Sequence, residues 1–69
     1  MRVEMNSERI RELREEKGMR QRDLAAAAGV NVATARRAER GEPVQADTAR
    51  SVARALGVDP PQKLGRVVR

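Results

Sequence analysis

The chain has 69 residues, 15 of them Lys or Arg against 10 Asp or Glu, for a formal net charge of +5, and it has no cysteine, histidine or aromatic residue. That length allows one domain, whose core supplies only about 3–5 kcal/mol of net stability unless something staples it. Without cysteine or histidine there is no disulfide, no thiolate and no ordinary metal site. A nucleophile and base arrangement is also missing, so neither an enzyme nor a cofactor is expected.

The first expected helix runs from Ser7 to Lys17, capped by Ser7 or Asn6, with Ile10 and Leu13 on one face and Gly18 as its stop. Four acids and four bases between Glu8 and Lys17 cancel, which marks it as scaffold. Gln21–Ala28 reads as a short second helix, alanine-rich and anchored by Leu24, ending at Gly29, where a positive φ is easily adopted. Asn31 can cap a third helix over Val32–Arg40, which Gly41 ends and Pro43 keeps from continuing. A fourth helix fits Ala46–Leu56, where Ala46, Ala49, Val52, Ala53 and Leu56 make one apolar stripe before Gly57.

Asp59-Pro60-Pro61 then reads as a cap and proline-rich first turn of a short fifth helix carrying Leu64. No strand-like alternation is evident. Gly65–Arg69 is expected to be a loose basic tail, with Val67 and Val68 able to pack on a neighbour. The expectation is an all-α, five-helix fold, one domain over residues 1–69 with a folded core over 7–64.

The positive charge points to an anionic polymer as partner. Only Lys17 and Lys63 are lysine. Arginine favours forked contacts to phosphate or guanine over a point charge, although GC-rich codon usage produces the same bias. Met1–Asn6 lacks the apolar run of a signal peptide, and nowhere do about 18 apolar residues stand together as a membrane span requires. A cytoplasmic protein with no membrane partner is expected.

Two helices flanking a glycine turn, the second with a basic outer face, are how helix-turn-helix proteins present a recognition helix. Leu24-Ala25 before Gly29-Val30, then Thr34 and Glu39-Arg40-Gly41, resembles the phage repressor and Cro (XRE-like) family. The likeness extends upstream through Ile10, Leu13, Arg14, Gly18, Met19 and Gln21, and downstream to Ala53-x-Ala55-Leu56-Gly57-Val58. It implies a lambda-repressor-like domain of bacterial or phage origin, nucleoid-associated when bound, acting as a sequence-specific transcriptional regulator, most simply a repressor.

The resemblance also implies roles. Helix three would enter the major groove with Asn31, Val32, Ala33, Thr34, Arg36 and Arg37 near the bases. Val32 and Ala33 can offer only apolar contact to a thymine methyl, whereas Arg36 or Arg37 can fork onto guanine. Gln21 would bond a backbone phosphate, with Arg20, Arg22 and Arg40 beside it. Arg14 and Glu39 would form a brace between helices one and three. Three departures stand out: Arg20 replaces the usual Ser or Thr cap of helix two, Ala35 and Ala38 replace larger aliphatics, and the loop Glu42-Pro43-Val44-Gln45 is short.

One such domain covers one half-site, so a homodimer on a palindromic site is expected. The rival reading is an antitoxin or anti-regulator that works mainly by binding a protein partner on the same fold. Unspecific coating of DNA is a third, since arginine–phosphate attraction alone supplies it.

Overall fold

Residues 1–58 and 61–68 are described by the computed structural model. Asn6 starts the first helix, α1 (Ser7–Glu16), its side-chain oxygen accepting from the Arg9 N–H at 3.0 Å. The helices α2 (Gln21–Ala28), α3 (Val32–Glu39) and α4 (Ala46–Ala55) follow. Each lies within a residue or so of its expected bounds, because caps and glycine stops are local signals.

The expected all-α, five-helix class is corrected by a three-stranded antiparallel sheet of order β2-β1-β3, made from β1 (Arg2–Met5), β2 (Val44–Gln45) and β3 (Gly65–Val68). The segment expected to be a loose basic tail is therefore a strand through Val68, with Arg2, Val3, Glu4 and Met5 opposite Val68, Val67, Arg66 and Gly65. On its other side β1 places Arg2 and Val3 opposite Gln45 and Val44, so half of the short loop after α3 is also strand. In place of a fifth α-helix there is one 3-10 turn, Pro61–Lys63. The capping role expected of Asp59 and Pro60 lies outside the described residues.

Residues opposite each other across a strand pair share a face. Val3, Val44 and Val67 therefore lie on one side with Met5 and Gly65, and Met5 and Val44 are buried there. Gly65 is required by the close approach of β1. A Cβ at that position would stand 2.9 Å from Val3 Cγ1 and 3.0 Å from the Glu4 carbonyl oxygen.

Ile10, Leu24, Val52, Leu56 and Leu64 are fully buried in one cluster shared by α1, α2, α4 and the turn before β3. Each contributes about 1.5–3 kcal/mol by leaving water. Ala35, Ala38, Ala49 and Ala53 fill the space between helices, so the backbones approach closely around few large side chains.

Candidate nucleic-acid interface

Gly29, at φ +71°, ends α2. Its N–H donates to the Ala26 carbonyl at 3.2 Å and the Val30 N–H to that of Ala25 at 3.0 Å, the Schellman arrangement that stops a helix and turns the chain. Asn31 then starts α3 by accepting from the Thr34 N–H at 2.9 Å. The Asn31 side-chain oxygen is thus committed to the cap, and its amide hydrogens remain for a ligand.

Ala35, Ala38 and Glu39 are the buried residues of α3. Ala33, Arg36, Arg37 and Arg40 are exposed, and Val32 and Thr34 half-buried, so the opposite face is a basic stripe that begins in small apolar side chains.

The structure brings four of the singled-out residues into one hydrogen-bonded chain. Arg14 donates through Nε and Nη2 to Glu39 Oε1 at 3.0 and 2.8 Å, and through Nη1 to the Met19 carbonyl at 3.0 Å. Gln21 Nε2 donates to Glu39 Oε2 at 2.6 Å, while its Oε1 accepts from Arg36 Nε at 3.2 Å. The Glu39 side chain is 7% exposed and that of Arg14 16%. Buried carboxylate, amide and exposed guanidinium are thereby linked in series from the core to the surface of α3. Gln21 keeps one amide hydrogen free, and Arg36 keeps both terminal nitrogens.

Arg20 stands at the N-terminus of α2 without a side-chain cap bond; instead its own N–H donates to Asp23 Oδ2 at 2.8 Å. Arg40 is paired with Glu42 at 2.9 Å. Among the described residues, no carboxylate lies within ion-pair distance of Arg20, Arg22, Arg36 or Arg37.

Sequence reasoning missed Arg2, Gln45 and Thr48. With Thr34 and Arg37 they line a cleft of about 160 Å³ beside α3. No local signal could have placed Arg2 there, because its position follows from the pairing of β1 with β2 across more than forty residues.

A family model described as helix-turn-helix matches residues 10–62. The chain belongs to the helix-turn-helix family. It is of the XRE type, that of Cro and the phage repressors, and so is a DNA-binding regulator. This helix-turn-helix family is one of regulatory domains and not a known family of enzymes. No curated protein and no solved structure matches the chain. The helix-turn-helix match includes β2 and leaves out β1 and β3. No described helix is long and apolar enough to cross a membrane.

Proposed function

We propose that the protein is a sequence-specific repressor that inserts α3 in the major groove, with Arg36 as its main reader of guanine. The observation that carries this is the series Glu39–Gln21–Arg36. An exposed arginine ordinarily loses much rotamer freedom on docking, but here Nε is already held at 3.2 Å and the two terminal nitrogens are left to fork onto O6 and N7 of one guanine. Ala33 and Val32, in the first turn, suit thymine methyl groups, and Arg37, Thr34 and Asn31 flank them. Arg20, Arg22 and the free amide hydrogen of Gln21, at the start of α2, serve the phosphates together with Arg2. Arg40, tied to Glu42, contributes less.

A domain of this kind bound over a promoter would exclude polymerase, which is the reason for reading it as a repressor. A two-fold dimer would set two α3 helices one turn of DNA apart, about 34 Å, on a palindromic site. Selection of binding sites from a random duplex pool at physiological salt tests the reading, followed by anisotropy titrations of Arg36→Ala and Arg22→Ala. An enriched palindrome is expected, with preference relaxed at one base pair for Arg36→Ala and affinity lowered evenly for Arg22→Ala. No enriched site, with binding that disappears as salt rises, would overturn it in favour of a protein-binding module or an unspecific coat.

A further inference from the structure

Arg2 and Arg37 line the same cleft of about 160 Å³ beside α3, with Thr34, Gln45 and Thr48. Among the described residues neither arginine has a carboxylate within ion-pair distance. Two like charges that share a cleft repel each other, and both side chains are on exposed residues with freedom to move apart. The backbone of Arg2 has to be held for the pair to persist.

The hydrogen-bond pattern of the sheet shows what holds it. The Asn6 N–H donates to the Leu64 carbonyl at 2.6 Å, one pair beyond the β1–β3 register. Antiparallel ladders alternate between pairs that exchange hydrogen bonds and pairs that do not. Glu4–Arg66 and Arg2–Val68 therefore exchange bonds, and Val3–Val67 and Met5–Gly65 do not. On the other side of β1 the Ala46 N–H donates to the Met1 carbonyl at 3.2 Å, which turns Met1 and Val3, and not Arg2, toward β2. Both main-chain groups of Arg2 thus go to Val68. Residues opposite each other share a face, so the Arg2 side chain starts out between that of Val68 on β3 and that of Gln45 on β2. The next bonded pair is also tied by its side chains, Arg66 reaching Glu4 Oε1 from Nη2 at 3.0 Å and from Nε at 3.2 Å.

We infer that Val68 is a positioning residue for DNA binding: its two main-chain bonds hold Arg2 at the cleft shared with Arg37, where the two guanidinium groups converge on one backbone phosphate. The inference rests on the phosphate contact assigned to Arg2 above and names what makes that contact possible. A phosphate between the two arginines replaces their repulsion by two attractions, and the Thr34, Gln45 and Thr48 side chains carry hydroxyl and amide donors for its other oxygens. Because the Arg2 main chain is fixed beforehand, less freedom is lost when DNA arrives. Strand β3 in this way serves DNA binding through a residue that need not touch DNA itself.

Anisotropy titrations of the whole chain on a short duplex of mixed sequence, at several salt concentrations, test this, because a phosphate contact is independent of sequence. Each such contact contributes about 0.9 to the slope of log affinity against log salt, or about fivefold in affinity at ~0.15 M relative to ~1 M salt. Arg2→Ala is expected to lose that much. Val68→Pro, which has no N–H for the Arg2 carbonyl, is expected to lose the same slope, and the double variant no more than either alone. Val68→Thr keeps both bonds and a β-branched side chain, and is expected to bind as the wild type does. Circular dichroism at the titration temperature checks that each variant is folded. Should Val68→Pro fail to fold, Val68→Gly takes its place, since it strips the side chain next to Arg2 and loosens the strand end. It is expected to weaken binding about two- to fivefold when Arg2 is present and not at all in the Arg2→Ala background. A Val68→Pro variant with the wild-type slope, or a Val68 variant that weakens binding as much without Arg2 as with it, would overturn the inference and leave the Arg2 contact standing. An unchanged slope for Arg2→Ala would remove that contact and this inference together, and leave the reading of Arg36 to the selected sites.

Discussion

Replacing Glu39 by glutamine keeps its volume and removes its charge, and the hydrogen-bonded series shows why that is costly. Three side-chain bonds end on this carboxylate, two from Arg14 and one from Gln21. A glutamine keeps one oxygen, which Arg14 retains, but its amide nitrogen then meets Gln21 Nε2, donor against donor. Turning the Gln21 amide repairs that contact and sets its nitrogen against Arg36 Nε, so one break persists wherever it is moved. Loss of one hydrogen bond to a charged group costs about 1.5–3 kcal/mol. Leaving a buried charge without its partner costs about 3–5 kcal/mol. Arg14 loses the charge of its partner but keeps both bonds to that oxygen, its bond to the Met19 carbonyl and slight exposure, so Glu39→Gln should cost about 2–4 kcal/mol. At about 4–8 °C per kcal/mol for a domain of this size, the melting midpoint should fall by at least ~8 °C. Thermal melts followed by circular dichroism measure it. Anisotropy titrations at a temperature where both proteins are folded should also show weaker DNA binding, because a break at either place loosens the Gln21 amide that anchors Arg36. A midpoint within about 3 °C of the wild type, the range of an ordinary surface substitution, would refute the reasoning.

Leu64→Ala removes a fully buried side chain where the 3-10 turn meets β3. It should cost about 2–5 kcal/mol against the about 3–5 kcal/mol of net stability that a core of this size supplies, and urea denaturation should show a large loss of stability, with a substantial unfolded population at 37 °C. Arg2→Ala should leave the melting midpoint nearly unchanged and weaken binding evenly across DNA sequences. Its slope of log affinity against log salt should be shallower by about 1, read from titrations at several salt concentrations, and an unchanged slope would remove Arg2 from the interface.

The four helices were legible because their punctuation is local: Asn6 and Asn31 cap within three residues, and the glycines after each helix stop it in place. The sheet was not. Arg-Val-Glu-Met and Gly-Arg-Val-Val are too short to show alternation, and each is strand only because the other, about sixty residues away, lies beside it. Val44 and Gln45 read as loop for the same reason. At the interface, the inward positions of Ala35 and Ala38 follow from helical spacing, which leaves the arginines outside. That Gln21 joins Glu39 to Arg36 follows only from the angle at which α2 meets α3, and residue order carries no trace of it.

The central strand of the sheet leaves the ribosome about sixty residues before the strand that completes it. Until Val68 emerges, Arg2–Met5 has no long partner, and the cluster that contains Leu64 is open on that side. Helices can form as they are synthesised, at about 5–20 residues per second, but closing the sheet must wait for β3. In the interval, several seconds on that scale, the nascent chain presents an apolar seam that any strand nearby could claim.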